Sequence, residues 1–147
     1  MSGTEGLLIV GAHARLGYVH YLRRDFDAAY AEYRRELEYL TSSDHALRER
    51  TLIELHQKLS ALYDARGEAD QSLRFGEQAI TALEHRVAAG ADDPATRYYV
   101  AAVYARRGDV DNTRRHLALP LSRLPQFTRW RLPRDIDFKL VLDRIPE

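Results

Sequence analysis

The stretch LSALYDARGEADQS, residues 59–72, carries the pattern on which the fold turns, and two other stretches repeat it. LGYVHYLRRDFDAA spans residues 16–29 and VAAVYARRGDVDNT spans residues 100–113. In each, an apolar residue precedes a small one: Gly17, Ser60 or Ala101. Seven residues on comes a turn pair, Arg24-Asp25, Gly67-Glu68 or Gly108-Asp109. Five residues beyond the turn's first member sits a second small residue, Ala29, Ser72 or Thr113. Small residues at matched places in two successive helices let their backbones approach closely, as ridge-into-groove packing requires. Gly67 and Gly108 can take the left-handed conformation that ends a helix, and Asp25 and Asp109 can cap the helix that follows. Tyr63 and Tyr104, with His20 at the matching place, are expected to fill the space between helical hairpins.

Extending outward, the pattern predicts helices over about 5–23, 26–42, 45–66, 69–89, 94–107 and 110–123. Asp93 before Pro94 is a strong helix start, since proline at the first helical position gives up only an orphan donor. Gly90-Ala91-Asp92 reads as a loop. Pro120 falls inside the last of these helices and is expected to kink or end it. Beyond Pro125 the pattern changes. Gln126 to Arg134 reads as irregular, and Asp135 to Arg144 as a short helix with Ile136, Leu140 and Val141 on one side. A terminal repeat needs a polar-backed cap, and residues 126–147 are its candidate.

Composition sets the bounds. The 147 residues are 45% hydrophobic and 30% charged, as in a globular domain and unlike a disordered tail. Twenty-two basic residues balance 22 acidic ones. That balance argues against a nucleic-acid partner, because duplex binding draws most of its affinity from neutralised phosphates. With no cysteine, disulfides, thiol nucleophiles and thiolate zinc sites are excluded, and a cytoplasmic setting is the expectation. No window approaches the ~20 apolar residues that cross a bilayer, and Met1 to Gly6 lacks a basic leader.

As a set, the three cores resemble the tetratricopeptide repeat, over most of residues 10–123. The small residues lie 43 and then 41 positions apart, longer than the usual ~34. Such spacing is similar to the lengthened repeats of the kinesin light chain and of many bacterial regulators. A HEAT or armadillo pair, with a period of ~40–47, is the alternative. Three departures stand out: Arg24 replaces a turn glycine, Glu36 an alanine, and Gly76 an aromatic. The resemblance implies an all-α, right-handed solenoid of three hairpins, residues 10–43, 53–86 and 94–125, capped by residues 126–147 as one domain. The ending also resembles the Asp-x-Asp-Phe … Leu close common after bacterial repeats of this type.

Function, on that resemblance, is expected in a concave groove lined by the first helix of each hairpin. The matching positions are Arg15, Tyr18, Tyr21 and Leu22 in the first repeat. Glu54, Gln57, Lys58, Ala61 and Asp64 follow in the second, and Tyr98, Tyr99, Ala102 and Arg106 in the third. Tyrosine and arginine are the side chains that most often anchor interfaces. Ala14 and Tyr18 stand where a chaperone-tail carboxylate clamp would need other residues, so that ligand is not implied. No phosphate-cradling loop, nucleophile elbow or metalloprotease motif is present, and no histidine pair has metal-ligating helical spacing. The expectation is therefore a protein or peptide partner, with no enzyme activity, cofactor or metal. Self-association as a homodimer is the alternative, and an enzyme acting on a small molecule in the groove a third reading.

Overall fold

The repeated turns generate three pairs of helices. The computed structural model describes residues 11–42 and 48–145. Helices α1 (Ala12–Leu22) and α2 (Phe26–Thr41) form the first pair, α3 (Arg48–Ala65) and α4 (Ala69–Ala88) the second, and α5 (Pro94–Arg106) and α6 (Val110–Arg123) the third. A shorter helix, α7 (Pro125–Arg131), follows, and then 3-10 turns at Leu132–Arg134, Ile136–Phe138 and Leu142–Arg144. No strand occurs among the described residues. The expected starts of the first helix at 5 and of the third at 45 lie outside the described residues.

All three intra-pair turns close in the same way. The amide N–H of Asp25, Glu68 and Asp109 donates to the carbonyl five residues back, at His20, Tyr63 and Tyr104 (2.9–3.0 Å). The residue before each, Arg24, Gly67 or Gly108, is left-handed at φ 62, 79 and 74°. This is the Schellman ending, which glycine adopts without steric cost. Arg24 adopts it too, at a cost of about 1–2 kcal/mol for an L-residue. Its guanidinium lies 5.2 Å from the centre of the Phe26 ring. Asp25 and Asp109 then cap α2 and α6 by accepting from the Ala28 and Asn112 amides, whereas Glu68 makes no side-chain cap.

Helix crossings depend on volume at two matched positions per pair. In the first, Gly17 faces the fully buried Tyr33 ring, which would lie 2.5 Å from a β-carbon at Gly17. In the second, the sizes shrink together: Ser60 opposes Gly76, and Ser60 and Ser72 each donate a hydroxyl to the other's carbonyl (2.8 Å). The space at Gly76 is taken up by Val103 and Arg107 of the next pair, 2.9 and 2.7 Å from where a β-carbon would stand. In the third, Ala101 and Leu117 share one core cluster. Glu36 is buried and reaches across to the start of α1, where its carboxylate accepts from the amides of Gly11 (3.2 Å) and Ala14 (3.1 Å). A carboxylate there satisfies orphan donors and meets the positive end of the helix dipole. Tyr63 stacks on Phe75 of its own pair and meets Tyr30 of the preceding pair edge-on, at 5.5 and 6.2 Å between centroids.

The last third of the chain departs from expectation after Pro125. Pro120 lies inside α6, which runs to Arg123, where its end was expected. The break falls at Leu124 (φ −132°, ψ 59°), because the residue before a proline is driven out of the helical region, and Pro125 then opens α7. Secondary structure after Pro125 is the reverse of that expected. Most of Gln126 to Arg134 is helical, and Asp135 to Arg144 is not an α-helix. Nor do Ile136, Leu140 and Val141 share a side: the first two are exposed and Val141 is fully buried. Here backbone conformation follows side-chain anchoring. The Asp135 carboxylate accepts from the Asp137 amide (3.0 Å), a local bond that competes with helical pairing.

Candidate binding face

Helices α1, α3 and α5 lie side by side, with α3 packed against both neighbours. Their shared face carries most of the groove residues named from sequence, and the chain's own C-terminal segment is laid across part of it. Asp137 is almost fully buried there. Its Oδ1 accepts from the Tyr21 hydroxyl and from Arg106 Nη1 (both 3.1 Å), and its Oδ2 from Gln57 Nε2 (2.9 Å). One carboxylate thus ties together a residue from each of the three first helices. Two residues earlier, Asp135 Oδ2 accepts from the Tyr98 hydroxyl (2.7 Å). The fully buried Phe138 packs 5.0 Å from the Tyr98 ring, centroid to centroid.

Electrostatics suit these roles. Burial, reinforced by the negative charge of Asp137, raises the Tyr21 pKa well above its ordinary value. Burial and Asp135 do the same to Tyr98. Both phenols stay protonated and act as donors to carboxylates. Tyr18 is also raised, by burial first, and Tyr99 is pushed up to about 12. Arg106 bridges Asp137 and Asp64, the second through Nε at 3.0 Å. Lys58 is 6% exposed and has no carboxylate within ion-pair distance among the described residues. Its ammonium instead sits 4.3 Å from the Tyr18 ring centre and 5.5 Å from that of Tyr99, a cation–π arrangement. Arg131, from α7, stacks on Tyr98 at 3.9 Å.

The sequence-named residues therefore divide. Tyr21, Gln57, Tyr98 and Arg106 bind the tail directly. Ala61 and Ala102 are buried beneath the face, Asp64 joins through Arg106, and Lys58 lies against both the Tyr18 and the Tyr99 ring. Arg15 and Leu22 are exposed and make none of these contacts. Arg15 instead lines a cavity of about 290 Å³ at the other end of the face, with Arg50, Thr51, Glu54, Thr96 and Tyr99. Asp135, Asp137, Phe138 and Arg131 were not named from sequence. The only signal for the first three is the Asp-x-Asp-Phe string, whose spacing does not say what it binds. Among the described residues no group of three or more histidine or carboxylate side chains is placed to hold a metal, and no helix is long and apolar enough to cross a membrane. The sequence matches no family model, and comparisons with curated proteins and with solved structures likewise find no match.

Proposed function

We propose that this chain is a right-handed solenoid of three tetratricopeptide-like hairpins, and that it serves as a protein-interaction module and not as an enzyme. The observation that carries the reading is the way the α1–α3–α5 face treats the chain's own tail. Phenol, amide and guanidinium donors from all three helices converge on carboxylates of a non-helical segment. A face with that chemistry is suited to holding extended peptide. The tail covers the end near Asp64 and Arg106. Among the described residues the tail does not reach the end near Arg15, Glu54 and Tyr99, and a partner segment is placed there in this reading.

The test is site-specific photo-crosslinking in the native host, with a photoreactive residue at Arg15 and, as a control, at Glu77 on α4. A covalent adduct to one other protein from position 15, lost in a Tyr18→Ala background, supports the reading. Adducts only from the control position, or none from position 15, would overturn the placement. An adduct to a second copy, together with a dimer mass by light scattering, would establish self-association instead.

A further inference from the structure

Outside that face, α7 presents an apolar surface that nothing in the described chain covers. Leu124, Phe127 and Trp130 are 48, 53 and 56% exposed, although each is among the most costly side chains to leave in water. They recur at intervals of three along a single short helix and its first flanking residue. Phe127 and Trp130 stack, with ring centroids 6.2 Å apart and planes 25° from parallel. Arg134 completes the stack. Its guanidinium lies 4.7 Å from the Trp130 ring centre, and Nη1 donates to the Trp130 carbonyl at 2.6 Å.

Charge is equally one-sided. Residues 123–134 contain four arginines, at 123, 129, 131 and 134, and no acidic residue. This is local excess in a chain whose net charge is zero. Among the described residues, Arg123, Arg129 and Arg134 have no carboxylate within ion-pair distance, whereas Arg86, Arg97, Arg106 and Arg107 each have one. An arginine already stacked on tryptophan has lost part of its rotamer freedom, and its remaining in-plane donors match a carboxylate.

We infer that the Leu124–Phe127–Trp130 face, with Arg134 at its edge, is a docking surface for an acidic protein segment that carries apolar side chains between its carboxylates. Stacked aromatics bordered by arginine are the composition of interface hot spots. The shape of this surface favours a peptide over an anionic bilayer. A seven-residue helix with three apolar side chains offers little insertion area, and interfacial helices rely on longer apolar faces. The surface uses none of the α1–α3–α5 residues, so its partner need not touch that face.

The experiment selects a phage-displayed library of random dodecapeptides on the full chain, with counter-selection on a Trp130→Ser/Arg134→Glu double variant. The enriched peptides should combine Asp or Glu with Leu, Ile or Phe. A synthetic copy of one, made without tryptophan, should shift the emission of Trp130, the only tryptophan in the chain. Arg134→Glu should weaken it about tenfold or more, and raising salt from about 0.05 to 0.5 M should weaken it further. Because these side chains are exposed, the variants should melt close to the parent. If the double variant does not, Phe127→Ser replaces it in the counter-selection. Enrichment of peptides without acids, equal retention on the variant, or affinity unchanged by Arg134→Glu would overturn the inference. So would a Trp130 shift with phosphatidylserine vesicles but not with peptides, or a dimer that the Phe127→Ser change dissolves.

Discussion

Helix α7 and the segment that follows it are adjacent in the chain and alike in composition, each mixing aliphatic, aromatic and charged residues. They end in opposite environments. Pro125–Arg131 forms a regular helix yet leaves Phe127 and Trp130 in solvent, while residues 132–145 lack an α-helix and bury Phe138 and Val141 completely. The difference lies in the polar residues. Asp135 and Asp137 find four side-chain donors on α1, α3 and α5, and these bonds draw the intervening chain into the core. The arginines of residues 123–134 find no such acids among the described residues, apart from the contact of Arg131 with the Tyr98 ring. Burial of the tail is therefore decided by carboxylate pairing, and apolar content alone does not predict it.

The largest effect should come from Asp137. Asp137→Ala removes the acceptor shared by Tyr21, Gln57 and Arg106, and leaves a half-buried guanidinium with only the more exposed Asp64. Breaking a buried pair from one side typically costs about 3–5 kcal/mol. Denaturant unfolding should show that loss, and hydrogen exchange should show deprotection across residues 132–145 together. A loss under about 1 kcal/mol would mean that apolar burial holds the tail unaided. Phe138→Ala tests the other half of the comparison. A fully buried ring packed on Tyr98 should cost about 3–5 kcal/mol on truncation. If Phe138→Ala is severe and Asp137→Ala mild, the explanation given above is inverted.

The same contrast explains what could be read from sequence. The three helix pairs were legible because their signals are local: small residue, turn and cap recur at fixed spacing. All six expected helix ends, which fall in described residues, agree within one residue, as periodic segments allow. The tail was not legible, because its conformation depends on partners as far away as Tyr21, 116 positions earlier. A period-based reading made Ile136, Leu140 and Val141 one helical face, when the side chains that matter were the two aspartates between and before them. The face itself was half legible. Tyr18, Tyr21, Gln57, Lys58, Tyr98 and Arg106 do converge, but nothing in their spacing revealed that the chain's own end meets them. Glu36 shows the same limit: an oddity in the repeat, it becomes intelligible only beside the start of α1.

A pH dependence is expected from one buried histidine outside the tail. His116 is buried on α6, stacked 5.4 Å from Tyr104 and bonded to Arg97. Burial first, and then the charges of Arg97 and Arg115, lower its pKa from 6.5 to about 4. Between those values the unfolded chain binds a proton that the folded chain does not. Stability should thus fall as pH drops from about 6.5 to 4, and this group contributes no slope above 6.5. The loss should be on the order of 1–3 kcal/mol. His116→Phe, which keeps a ring against Tyr104, should flatten that interval. Any slope that survives in that interval belongs to other groups.

The smallest effect is expected on α7, and its smallness is the point. Trp130→Ala removes the largest side chain in the protein, yet more than half of that side chain is in water and its partners are Phe127 and Arg134, both exposed. Substitutions at such positions usually change stability by no more than about 0.5 kcal/mol. The exposed cation–π contact with Arg134 adds about 0.5–1 kcal/mol at most. Trp130→Ala should accordingly unfold within about 1 kcal/mol of the parent, against the several expected for Phe138→Ala eight residues away. Paired denaturant melts of the two variants make the comparison directly. A large loss at Trp130 would mean that α7 is stapled to the fold through this ring. Its apolar face would then be structural, and the docking surface inferred for it would lose its basis. A small loss leaves a tryptophan that folding does not require, in a position that no described residue buries.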